Sequence, residues 1–159
     1  MKKLFLTATV AVVAFGFTQT AQADSSVQLT IDGDMPKICD VDQYGDFRLQ
    51  DLDLTSTAQT DAASITISCN YQGTANVEFS SANAGALVST SDPEHTIPYT
   101  ASLSGGLLSD VSLATPQTAN NFPTVVGDQT RGFSVKLAPP AVVPAGFYED
   151  VVTATVATN

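Results

Sequence analysis

The feature that most constrains this chain is a period of two in its apolar residues. Ser64-Ile65-Thr66-Ile67-Ser68-Cys69 alternates polar and apolar side chains. So do Asn76-Val77-Glu78-Phe79-Ser80, Gly132-Phe133-Ser134-Val135-Lys136-Leu137 and the stretch from Tyr148 to Val156. Successive side chains of a strand point to opposite faces, so such runs bury one face of a sheet, and their Thr and Val content agrees. Gly and Pro fall between the runs: Gly73, Gly85, Pro93, Gly105-Gly106, Pro116, Pro123, Gly127, Pro139-Pro140 and Pro144-Ala145-Gly146. Short alternating runs between turn residues predict an all-β antiparallel sandwich or barrel. The expected strands are 27–33, 38–43, 46–50, 63–69, 75–80, 97–103, 107–113, 132–138 and 147–157. The polar stretch 114–129, with Pro and paired Asn, reads as a long surface loop.

The N-terminus predicts export. Lys2 and Lys3 precede an uncharged, mostly apolar stretch over residues 4–17, and Ala21-Gln22-Ala23 has the small-x-small form of a signal-peptidase site. Residues 1–23 are therefore expected to be a secretory signal, its apolar run being shorter than the roughly 20 residues of a membrane span. No other segment is long and apolar enough to insert in a membrane. Loss of Lys2 and Lys3 takes the formal net charge from −10 to −12, with sixteen acids against four bases. That balance disfavours nucleic acid and anionic lipid surfaces as partners.

The chain has two cysteines, Cys39 and Cys69. In an exported protein an even count favours one disulfide between them. An antibody-type immunoglobulin domain fits poorly, because Trp is absent and the cysteines lie early and close.

Catalytic chemistry is not legible. The sole histidine, His95, sits among turn formers, and neither G-x-S-x-G nor H-E-x-x-H occurs. No catalytic residue, metal or cofactor is expected, and the chain reads as a non-enzyme. Eight of the sixteen acids lie from Asp32 to Asp61. Asp40, Asp42, Gly45 and Asp51 partly follow a calcium loop, but Tyr44 stands where an oxygen ligand is wanted and the last ligand is Asp instead of Glu. The plainer reading is the solvent-facing half of alternating strands.

An alternating run lies near each end of the exported chain. Val27, Leu29, Ile31 and Gly33 share one face, and Pro36 stops that run. Tyr148, Val152, Ala154 and Val156 share a face of the last run, interrupted by Asp150. From pattern alone, the better reading is two ordinary strands paired within one domain.

A resemblance changes that balance. An alternating run enters the first cysteine over residues 27–39. A second cysteine closes Ile65-Thr66-Ile67-Ser68-Cys69-Asn70. Ile97-Pro98-Tyr99-Thr100-Ala101-Ser102-Leu103 forms a mid-chain strand. The ending keeps Pro144, Ala145, Gly146, Tyr148, Asp150, Val152, Thr153, Thr155 and Val156 of a P-A-G-x-Y-x-D-x-V-T-V-T-V pattern. In these stretches residues 24–159 resemble single-domain pilins of the chaperone–usher pathway, of the spore coat protein U-like or archaic pilus type. The arginine-centred motif of that family is absent from the middle of the chain, the region after Cys39 is unusually rich in Asp, and the terminal aromatic is missing.

The resemblance implies an incomplete immunoglobulin-like sandwich (37–159) completed by a donor strand from a neighbouring subunit. Residues 24–36 would be the donor extension, carrying Val27, Leu29, Ile31 and Gly33. Tyr148, Val152, Ala154 and Val156 would line the groove edge that receives it. The implied partners are identical or related subunits, a periplasmic chaperone and an outer-membrane usher. The implied location is a surface fimbrium, with a role in adhesion and biofilm formation. The alternative is a secreted monomeric β-sandwich that binds a carbohydrate or protein ligand.

Overall fold

The structure, a computed structural model, describes residues 28–42, 49–60 and 63–159. The expected signal peptide, Val27, and residues 46–48 of the expected strand 46–50 lie outside the described residues. Contacts divide the chain into Met1–Asp34 and Met35–Asn159. In the first unit, residues 28–34 form no strand, and Leu29 and Ile31 are 83% and 85% exposed. The expectation of a strand at 27–33 is thus not met in its described part. Gln50 and Leu49 likewise lie in no strand.

The second unit is built from alternating strands. They are β1 (Cys39–Asp42), β2 (Ala63–Cys69), β3 (Gly73–Ser81), β4 (Ala86–Ser89), β5 (Thr96–Leu103), β6 (Leu108–Ser112), β7 (Gln117–Thr124), β8 (Gly127–Leu137), β9 (Tyr148–Glu149) and β10 (Val152–Thr158). One sheet has the order β1-β2-β8-β5-β4-β9, with β6 also on β5; the other is β10-β3-β7. All the ladders between these strands are antiparallel. The all-β antiparallel, two-sheet architecture expected from the sequence is the one observed.

The core lies between the sheets, where the inward rows meet. Ile65 and Ile67 of β2, Phe133 and Val135 of β8, and Tyr99 and Ala101 of β5 face Val77 and Phe79 of β3 and Phe122 of β7. The Phe79 and Phe133 rings stack across the sheets with centroids 5.2 Å apart. Burying each such side chain contributes about 1.5–3 kcal/mol. The expected disulfide is present: Cys39 and Cys69 are direct cross-strand neighbours in β1 and β2, with Cα atoms 4.2 Å apart.

Two expectations are corrected. The supposed loop 114–129 contains β7 and the first residues of β8. The inward residues of β7 are Ala119, Phe122 and Thr124, because a bulge shifts the register between Ala75 and Val77 of β3. Asn121, at φ 57°, absorbs that irregularity. An extra residue breaks the period of two, so the strand cannot be read from alternation. The expected single strand 147–157 is two strands, β9 and β10, in different sheets.

Candidate functional site: a bare apolar edge

The second sheet ends at β10, whose seven residues pair with β3 from Val152 opposite Ser81 to Thr158 opposite Ala75, without a bulge. Among the described residues β10 has no ladder on its other side. Its remaining main-chain N–H and C=O groups therefore face outward, as they do on any sheet edge. Val152, Ala154 and Val156 point toward the core yet are only half-buried, while Thr153, Thr155, Ala157 and Thr158 are exposed.

The first sheet ends nearby at β1, which pairs only with β2 among the described residues. Cα atoms of β1 and β10 come within 8 Å, but no ladder joins them. The apolar row of β10 on this side, Val152, Ala154 and Val156, stays half-buried. Cys39 and Val41 of β1 are half-buried against the same core. One end of this gap is bridged: Lys37 Nζ donates to the Asn159 carbonyl at 2.7 Å and lies 4.9 Å from the centre of the Tyr71 ring. Asn159 is held in turn by Asn76, whose Nδ2 donates to its Oδ1 at 2.8 Å.

The four residues expected to form one groove edge divide. Val152, Ala154 and Val156 form the inward row of β10. Tyr148 belongs to β9 in the other sheet, where it is buried and its hydroxyl donates to the Pro144 carbonyl at 3.0 Å. The reason is the residue between them. Asp150 stands where the chain leaves one sheet for the other, and its carboxylate accepts hydrogen bonds from Ser81 Oγ (2.6 Å), the Tyr99 hydroxyl (2.6 Å) and the Asn83 N–H (3.0 Å). The sequence showed Asp150 as a break in an apolar row and as part of the ending pattern, but not as a crossing between sheets. A lone acid inside an otherwise alternating strand is the signal that could have marked the crossing.

Leu29 and Ile31 are exposed, and a Cβ on Gly33 would meet nothing within 4 Å. Of the calcium-like residues, Asp40 and Asp42 lie in β1 and Asp51 in a loop at φ 55°, while Gly45 is outside the described residues. Among the described residues no group of three or more His, Cys, Asp or Glu could hold a metal ion. His95 is exposed, with Nε2 3.4 Å from Asp92 Oδ2. No helix among the described residues is long and apolar enough to cross a membrane.

No family model and no curated protein sequence matches the chain. Two solved structures are similar to it. One is a pre-assembly complex of the chaperone CsuC with the tip adhesion subunit CsuE, from archaic chaperone-usher Csu pili of Acinetobacter baumannii. The match is 17% identical with a TM-score of 0.41, covering 76% of this chain and 39% of that one. The other is a chaperone–tip adhesin complex of CFA/I fimbriae, 13% identical with a TM-score of 0.42, covering 87% of this chain and 41% of that one. The chain thus spans about two fifths of the length of each.

Proposed function

We propose that this chain is a structural subunit of a chaperone–usher surface pilus and polymerises by strand exchange. The observation that carries the reading is the regular edge of β10, unpaired among the described residues, with its half-buried apolar row. Such an edge is a template for another strand, and a free subunit left with it would aggregate. Residues 24–36 of a neighbouring copy supply a strand of matching period, with Val27, Leu29 and Ile31 on one face. Main-chain bonds to β10 give affinity, and the alternate side chains, set against Val152, Ala154 and Val156, fix register. A periplasmic chaperone covers the edge before assembly, and an outer-membrane usher is where one strand replaces the other. Because each copy donates at one place and accepts at another, the contact is head-to-tail and builds a filament. Surface adhesion and biofilm formation are the role such a filament serves.

The test moves the donor into the acceptor's own chain. Residues 24–35 are placed after Asn159 through a short Gly/Ser turn, so that they fold back antiparallel along β10. Tethering makes the step intramolecular and favours self-filling over capture by neighbours. The expected product is a soluble monomer that no longer polymerises. Burial of three apolar side chains at about 1.5–3 kcal/mol each should raise its Tm by about 10 °C or more over the chain truncated before Met35. Equal melting temperatures for the two purified monomers would overturn strand exchange and favour a self-contained monomeric sandwich.

A further inference from the structure

We propose that Asp150 is the residue that sets the register of β10 as an acceptor edge, by joining the two sheets where the chain crosses between them; this rests on the strand-exchange reading. Before the crossing, Glu149 and Tyr148 pair with Val88 and Ser89 of β4 in the first sheet. After it, Val152 opens the ladder to β3 in the second sheet, opposite Ser81. Only Asp150 and Val151 lie between. The carboxylate of Asp150 accepts from groups on both sides of the sandwich: Tyr99 on β5 of the first sheet, and Ser81 at the end of β3 in the second. Its other oxygen accepts from the N–H groups of Asn83 and of Val151 itself.

The partners are held in their turn. Ser81 Oγ accepts from the Gly85 N–H at 2.7 Å, closing the turn from β3 to β4. Gly85 is required there: at φ 76° it is in the left-handed region, and a Cβ would come 3.1 Å from the backbone of Leu113 and Ala114. Asn83 Nδ2 donates to the Glu149 carbonyl, and the Ala82 N–H donates to the Val151 carbonyl, so both sides of the crossing are tied to the same turn. Burial, and then the Asp150 carboxylate, push the Tyr99 hydroxyl well above its ordinary range, which keeps it a donor.

An edge strand bonded on one side needs such a device. The half-buried row of β10 holds its phase weakly until a second strand covers it. A slip of one residue would turn Val152, Ala154 and Val156 outward and present Thr153 and Thr155 to the incoming strand. Asp150 blocks that slip, because shifting β10 pulls its carboxylate off hydroxyls belonging to both sheets.

The test uses the mature chain, residues 24–159, and a labelled peptide of residues 24–35 added in trans. Wild type should capture the peptide and discriminate faces: an Ile31→Asp peptide should bind at least about tenfold worse than a Thr30→Asp peptide, since only the first puts a charge in apolar surroundings. Asp150→Ala should weaken capture about tenfold or more and bring the face ratio toward one, because charge-assisted bonds that define the phase are gone. Asp150→Asn, which keeps the shape and one acceptor, should fall between. A purely structural role would lower the melting temperature but leave the face ratio of folded molecules unchanged. If Asp150→Ala does not stay folded, Tyr99→Phe and Ser81→Ala, each removing one donor, should still lower the face ratio. Unchanged affinity and face ratio in these variants, with capture by wild type intact, overturn the role of Asp150 and leave strand exchange standing. No capture by wild type overturns both.

Discussion

The strands β7 and β10 are the two edges of one sheet and share one central partner, β3, yet they are built in opposite ways. The edge at β7 carries Pro123, a register shift and Asn121 in the left-handed region, and its inward residues Ala119 and Phe122 are fully buried. Proline and bulges are how sheets discourage a further strand. In contrast β10 has no proline, pairs without a break over seven residues, and leaves its apolar row half-covered. One edge is finished and the other is not. On the strand-exchange reading, the asymmetry favours adding a strand beside β10 over adding one to β7.

The largest expected effect tests whether β7 is finished. Phe122→Ala should destabilise the isolated chain by about 3–5 kcal/mol, as large-to-small changes in a filled core do, whereas Val156→Ala on β10 should cost only about 1 kcal/mol. Chemical denaturation measures both. The comparison sharpens when a strand is tethered beside β10, since the cost of Val156→Ala should then rise toward about 2 kcal/mol as its surroundings fill. Similar costs for the two substitutions in the isolated chain would mean that β10 is as complete as β7.

Next in size is the disulfide that ties β1 to β2. Replacing Cys39 and Cys69 together by Ser should lower stability by about 3 kcal/mol, the loop-closure value for a crosslink spanning some thirty residues. Titration of the denatured, unreduced wild type should find no free thiol, and two per chain would refute the bond.

On the donor side, Leu29→Asp should block assembly while leaving subunit stability within about 0.5 kcal/mol, because the residue is exposed in the free chain. Sedimentation of assembled material and melting of the monomer separate the two effects. Gln28→Asp should change neither, and equal loss of assembly from both would break the assignment of faces.

The smallest effect is in alkali. Tyr99 ionises well above its ordinary value of 10.0, first because it is buried and then because it donates to Asp150. The unfolded chain can lose this proton near pH 10 while the folded chain keeps it. The stabilisation is therefore complete below about pH 10 and declines as pH rises above it. A stability profile from about pH 9 to 12 should fall more steeply for wild type than for Tyr99→Phe. Parallel profiles would show that the hydroxyl does not contribute through ionisation.

How much of this was written in the sequence follows from what is local. The strand β2 was legible to the residue, and β3 and β5 nearly so, because a half-buried strand repeats its environment every second residue; β10 was legible as a strand but not in its start. The cysteine count supplied the disulfide between Cys39 and Cys69, but not that the two stand opposite each other on paired strands. The strand β7 was hidden, since its bulge spaces Ala119 and Phe122 three apart and its outward residues are Asn and Pro. The short β4 gave too few residues for a period to show.

Sheet membership and edges were decided by the tertiary structure alone. The residues from Tyr148 to Val156 look like one strand, yet they divide at Asp150 because the carboxylate finds hydroxyls on β3 and β5, some seventy and fifty positions away. Alternation says that one face of a strand is buried. It does not say what lies beside the strand, because that neighbour comes from a distant part of the chain. An edge is the absence of such a neighbour, so β10 could be recognised as a strand from its own residues, but as an unfinished edge only once β3 had taken one side of it and no strand of Met35–Asn159 among the described residues had taken the other.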